Sequence, residues 1–231
     1  MTQALGRNFQ KAALGVAFFL MCLTLIPFRP QAAPGQDLAL IAAAERGDSA
    51  AVQTLLREGA SIDARDARGR TALLAATQAD RVETARLLIA AGADVNAKDA
   101  IEDSPFLYAG AEGRNEILKI TLAAGADLKR TTRYGGTALI PAAHHGHVET
   151  VKILLTTAID KDHVNKLGWT ALLEAVILGN GGPAHTEIVR LLTAAGATVN
   201  HADRDGATPL AHARRRGFAA IERILEAAGA R

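Results

Sequence analysis

The chain has 231 residues, of which 49% are hydrophobic, 22% charged and 4% aromatic. That much apolar content with so little net charge excludes a disordered chain, and a single cysteine excludes a disulfide framework, a zinc ribbon and a ferredoxin-type cluster. The formal charge of +2 originates at the front: residues 1–33 hold Arg7, Lys11, Arg29 and no acid, which leaves 23 cations against 24 acids behind them. Nucleic acid is therefore not an expected partner.

Arg7 and Lys11 precede an uncharged run from Ala12 to Phe28, and a Pro-containing polar stretch comes next. A basic start, an apolar centre and a polar end make a secretory signal, and the retained cations direct the rest of the chain across the membrane. Gln31-Ala32-Ala33 offers small residues for cleavage, although Gln31 or Pro30 fills the outer specificity position. Residues 12–28 are also at the lower limit for spanning a bilayer. An anchor retained in the inner membrane is thus the alternative to cleavage and a periplasmic or secreted product. Cys22 comes directly after Met21 and so lacks a lipobox.

Beyond residue 33 one pattern recurs six times. Thr71, Ser104, Thr137 and Thr170 are spaced by 33, with Thr208 a further 38 on; Ala76, Ala109, Ala142, Ala175 and Ala213 keep the same steps. The units run over about 36–65, 66–98, 99–131, 132–164, 165–202 and 203–231, all within one domain at 34–231. Each reads as two short helices and a tight turn. Gly69 allows the positive φ of the turn, Thr71 is an N-cap, and Pro105 and Pro209 occupy first helical positions. Gly47, Gly113, Gly146, Gly179 and Gly217 are expected to end the first helices, with Asp80 in that place in unit two. Val52/Leu55/Leu56, Ala85/Leu88/Ile89 and Val151/Leu154/Leu155 form the apolar stripe of the second helix.

Asp203-Arg204-Asp205-Gly206-Ala207-Thr208-Pro209-Leu210, Ala142-Ala143-His144-His145-Gly146-His147 and Gly92-Ala93-Asp94-Val95-Asn96 together resemble the ankyrin repeat. The resemblance covers about 36–231 and implies an all-α solenoid of six stacked helix-turn-helix units with short β-turn fingers, preceded by an N-terminal apolar helix. The family's His after Pro-Leu is replaced by Leu74, Leu107, Ile140, Leu173 and Ala211. Glu102 stands where a turn glycine belongs, so a reshaped third finger is expected. Glu222 and Glu226, in places that are Val151 and Leu155 two units earlier, and Gln36, Asp37 and Leu38 in place of a first finger and its capping Thr, read as polar caps that complete the array.

The family binds proteins through finger tips and the inner face of the first helices. On that resemblance the contact candidates are Arg68, Arg70, Ile101, Arg133, Tyr134, Lys166, Leu167 and Trp169 at the tips, and Tyr108, His144, His145 and Glu174 on the inner face. Aromatic residues and Arg dominate binding energies most often. His144-His145-Gly146-His147 invites a metal reading, but adjacent helical side chains diverge by about 100°, so no metal and no cofactor is expected. Pro141 falls where the first intrahelical N–H bond would form, at a cost of ~1–3 kcal/mol. The five surplus residues of unit five, within Asn180-Gly181-Gly182-Pro183-Ala184-His185, read as a loop between its helices. Arg214-Arg215-Arg216 reads as a solvated face.

Residues 34–231 hold no Walker loop, G-x-S-x-G, H-E-x-x-H or cysteine nucleophile. The expectation is a monomeric, non-enzymatic protein-interaction scaffold acting outside the cytoplasmic membrane, which touches the membrane only if its leader is uncleaved. Resemblance to exported bacterial relatives also implies an alternative: a metal- or haem-linked accessory to an oxidative-stress enzyme such as a catalase, using the His144/His145 region.

Overall fold

A computed structural model describes residues 34–231; the leader reading at 1–33 falls outside the described residues. Twelve α-helices are arranged in six pairs: α1 (Pro34–Arg46) with α2 (Ser49–Arg57), α3 (Ala72–Gln78) with α4 (Val82–Ala90), α5 (Pro105–Ala111) with α6 (Asn115–Ala123), α7 (Leu139–His144) with α8 (Val148–Leu155), α9 (Ala171–Ile177) with α10 (Pro183–Ala194), and α11 (Pro209–Arg215) with α12 (Ala219–Ala227). The odd-numbered helices pack on one another in an inner row, the even-numbered ones in an outer row, and each helix also packs on the other member of its pair. Among the described residues there is no strand.

Most inner helices have only six or seven residues, too few to persist alone in water. They persist because both flanks are covered: Leu73, Leu74, Phe106, Leu107, Leu139, Leu172 and Leu173 are fully buried, and Ala76, Ala109, Ala142, Ala175 and Ala213 leave room for neighbouring backbones. Outer helices bury only a stripe, such as Ala85 and Leu88 in α4 or Val151 and Leu154 in α8. Stability thus resides mainly in the interfaces between units.

Thr71, Ser104, Thr170 and Thr208 cap their helices by accepting the N–H of Leu74, Leu107, Leu173 and Ala211, each worth about 1 kcal/mol. Thr137 does not. The capping carbonyls of Thr71, Ser104, Thr170 and Thr208 accept from the N–H four residues on, but in unit four that residue is Pro141. The Thr137 carbonyl takes the Ile140 N–H instead, at 3.1 Å, and the Thr137 hydroxyl is left buried without a partner.

Three expectations about local shape are corrected. Gly47, Gly113, Gly146 and Gly217 do end their helices with positive φ, as does Asp80 at 56°, but Gly179 does not; that conformation falls to Gly181 at 69°. A Cβ on Gly179 would lie 2.1 Å from the Ala175 carbonyl oxygen and 2.4 Å from the His185 ring, so close packing demands glycine there. The surplus of unit five is not all loop: Pro183 opens α10, whose 12 residues exceed the 8 or 9 of the other outer helices. At the front, α1 begins at Pro34, so Gln36, Asp37 and Leu38 are helical, and Leu38 is exposed.

Candidate protein-binding surface

Five fingers precede α3, α5, α7, α9 and α11, and all five close the same way. The first residue donates its N–H to the carbonyl of the fifth, in Asp66–Arg70, Asp99–Asp103, Thr132–Gly136, Asn165–Trp169 and Asp203–Ala207, at 2.8 to 3.0 Å. The fourth residue takes positive φ: Gly69, Gly135, Gly168 and Gly206, and also Glu102 at 67°. The third finger is therefore not reshaped; Glu102 adopts the strained conformation because the turn is closed by Asp99 N–H to the Asp103 carbonyl and by Glu102 N–H to the Asp99 carbonyl at 3.1 Å. In four fingers the first side chain stiffens the tip, since Asp66, Asp99, Asn165 and Asp203 each accept the N–H groups of the third and fifth residues.

The third residues form a row across the fingers: Arg68, Ile101, Tyr134, Leu167 and Asp205. Its centre is apolar and open to solvent, with Ile101 51%, Tyr134 59% and Leu167 47% exposed. Second residues form a parallel row ending in three cations, Arg133, Lys166 and Arg204. The Arg133 guanidinium lies 4.7 Å from the Tyr134 ring centre. Lys166 Nζ donates to the Arg133 carbonyl at 2.8 Å and Arg204 to that of Lys166 at 2.5 Å. Neighbouring fingers join through Ala100 N–H to the Arg68 carbonyl and Lys166 N–H to that of Tyr134. His163 and His201, which sequence reasoning passed over, donate Nε2–H to the carbonyls of Gly135 and Gly168. Each ties the segment before one finger to the turn of the preceding finger.

Two of the expected contact residues are interior. Arg70 is 5% exposed: Nε bonds Asp66 at 2.9 Å, and Nη1 bonds Glu45 at 3.1 Å and Gln78 at 3.0 Å. Its hydrogen bond to Glu45 lowers that carboxyl below its ordinary range. A guanidinium folded over three acceptors ties finger two to α1 and α3 rather than facing a partner. Glu174 is 6% exposed and accepts from Asn165 Nδ2 at 2.9 Å; burial pushes its carboxyl up. Trp169 is half-buried, which leaves Tyr134 as the exposed aromatic of the finger row.

On the inner face, burial and then Glu112 push the Tyr108 hydroxyl up; at the end of finger three, burial and then Asp99 do the same to the Asp103 carboxyl. His144 Nδ1 lies 3.6 Å from Glu174 Oε2; burial, then His145, pushes the His144 imidazole down. His145 Nδ1 donates to the Ala111 carbonyl at 2.8 Å. That bond belongs to a series: Arg81 reaches the Glu45 carbonyl, His185 that of His144, and Arg216 those of Val176 and Ile177. In each case a basic side chain from the next unit occupies the C-terminal end of an inner helix, where carbonyls lack intrahelical partners and the dipole favours positive charge. Arg216 is thus not simply a solvated cation, and Arg214 pairs with Glu222 and Glu226. Among the described residues no group of three or more His, Cys, Asp or Glu side chains is placed to hold a metal, and no helix is long and apolar enough to cross a membrane.

Comparisons with known proteins agree with this geometry. The family model described as "Ankyrin repeats (3 copies)" matches residues 14–99 and 106–203. A crystal structure of an ankyrin repeat domain from Acinetobacter baumannii AYE is 57% identical, with a TM-score of 0.81, covering 84% of this chain and 98% of that one. The ankyrin repeat domain of Bcl-3, a member of the IkappaB family, is 29% identical with a TM-score of 0.75, covering 83% and 86%. The putative ankyrin repeat protein YahD of Escherichia coli K12 is 47% identical over 57 residues, which span 25% of this chain and 28% of YahD. The chain belongs to the ankyrin-repeat family.

Proposed function

We propose that the protein is a non-enzymatic scaffold that captures another protein on its finger tips and inner helix face, outside the cytoplasmic membrane. The observation that carries this reading is the row Ile101, Tyr134 and Leu167, three large apolar side chains about half exposed on turns whose backbones are pinned by hydrogen bonds. A surface ordered in advance loses little entropy on binding. Arg133, stacked against Tyr134, and Tyr134 itself are both residue types enriched where binding energy concentrates. Action outside the membrane rests on Arg7, Lys11 and the apolar run of residues 12–28. The accessory reading at His144 and His145 has less support, since His145 Nδ1 is engaged by the Ala111 carbonyl.

Photoreactive residues placed at Tyr134 and Leu167, with Lys119 on α6 as a control site, test the reading in the native cell. Capture of one defined protein from both finger positions and not from Lys119 is expected; equal yields from all three positions would reject this surface.

A further inference from the structure

Resting on the finger-tip reading, we infer that the segment captured is an extended acidic peptide in the polyproline II conformation, with an apolar side chain at every third residue. Three observations converge on it.

The first is spacing. Each finger has two arms, and finger two bonds finger three, and finger four bonds finger five, edge to edge through backbone groups. Equivalent positions of each bonded pair, Tyr134 and Leu167 among them, then lie two strand spacings apart, roughly 9.5 Å, in keeping with helices packed about 8–10 Å apart beneath them. A polyproline II chain repeats every three residues, or about 9.3 Å. Between Tyr134 and Leu167, on the bonded pair of fingers four and five, the mismatch is about 0.2 Å. A β-strand brings same-face side chains round every ~6.8 Å, and a helix matched at every seventh residue overshoots by about 1 Å at each step.

The second is charge. Arg133 and Lys166 run beside the apolar row, one residue before Tyr134 and Leu167, and Arg204 continues the line in finger six, before Asp205; none of the three forms an ion pair with a carboxylate among the described residues. Lys166 and Arg204 are held in place by carbonyls, which orient but do not neutralise them. A peptide with its apolar groups on the Ile101–Tyr134–Leu167 row brings the neighbouring residues of its Tyr134 and Leu167 turns over Arg133 and Lys166, and Asp or Glu complements them there.

The third is the chemistry of the anchor. An exposed Tyr ring backed by a guanidinium is a flat amphipathic platform, the kind of aromatic surface on which Pro-rich segments dock with little ordering cost.

Selection of a random fifteen-residue display library on the purified full chain tests the assignment, with titration of the enriched sequences afterwards. Expected are sequences with apolar residues at positions i, i+3 and i+6 and Asp or Glu between them. Their affinity should fall at least tenfold on Tyr134→Ala with Leu167→Ala. It should also lose much of its salt dependence on Arg133→Gln with Lys166→Gln. Enrichment of basic sequences, of a period of two or of helical sequences, or no enrichment at all, overturns the peptide chemistry. If that happens while crosslinks from Tyr134 and Leu167 still capture one protein, the finger surface stands and only its ligand class is wrong; loss of both rejects the surface itself.

Discussion

Pro141 sits four residues after Thr137, and this single spacing leaves the Thr137 hydroxyl buried with no hydrogen-bond partner. The same hydroxyl in units two, three, five and six caps a helix. One sequence position therefore carries opposite energetic signs along the array.

Thr71→Val and Thr170→Val should each lower stability by about 1 kcal/mol through loss of a cap. Thr137→Val removes an unsatisfied group of nearly the same shape and should be neutral or stabilising. Urea unfolding of the three variants gives the comparison; a Thr137→Val loss equal to the other two would show that its hydroxyl finds a partner.

A second ladder joins the units. Side-chain oxygens of Asp63, Asn96, Asp162 and Asn200 accept the N–H groups of Asp94, Asp127, Thr198 and Arg231 in the next unit. Lys129 stands at the matching position of unit three and cannot accept. Lys129→Asn should restore the rung to the backbone N–H of Asp160 and add about 0.5–1.5 kcal/mol, read as a higher melting temperature. An unchanged or lower melting temperature would mean that the loop before Asp160 does not approach closely enough.

Glu102→Gly should stabilise by about 1 kcal/mol, because glycine reaches a φ of 67° without the steric cost borne by Glu. Asp80→Gly should yield less, because Asp tolerates that region better than Glu; each substitution loses one surface ion pair, Glu102 with Lys98 at 3.5 Å and Asp80 with Arg114 at 3.4 Å, so these losses do not separate the two. Thermal melts of the two variants decide the order.

Glu174 should make stability fall on the alkaline side of its titration. Burial raises its folded-state pKa above the unfolded one, so the favourable difference is complete below the unfolded value and is lost as pH rises through the folded value. Glu174→Gln keeps an oxygen for Asn165 Nδ2 and has no charge to bury. The variant should match the parent at about pH 4 and exceed it at pH 7. Parallel denaturant curves across that range that never diverge would contradict the burial of an ionised carboxylate.

Fold was legible in the sequence because the repeat is periodic in residues that have one job each: the 33-residue steps of Thr71, Ala76 and their equivalents locate caps and contacts without coordinates. The exposed row was legible too, since Ile101, Tyr134 and Leu167 share a register and large apolar residues at turn tips are conspicuous. The features that escaped depend on partners far along the chain. Arg70 looked like a tip residue because its acceptors Glu45 and Gln78 lie on other elements. Glu174 looked like an inner-face contact because only packing shows that Asn165 covers it. His185 read as part of a loop, yet its Nε2 reaches back 41 residues to the His144 carbonyl at 2.8 Å. Lys129 was detectable in principle, as the one non-acceptor in the series Asp63, Asn96, Asp162 and Asn200.

The account turns on the apolar finger row being a binding surface and not a by-product of turn sequence. The direct measurement is affinity-tag recovery of the native partner by the chain carrying Ile101→Ser, Tyr134→Ser and Leu167→Ser, with circular dichroism and melting temperature recorded on the same protein. Loss of the partner with an unchanged helical spectrum and melting curve is the predicted result. Undiminished recovery by the folded triple variant would contradict it.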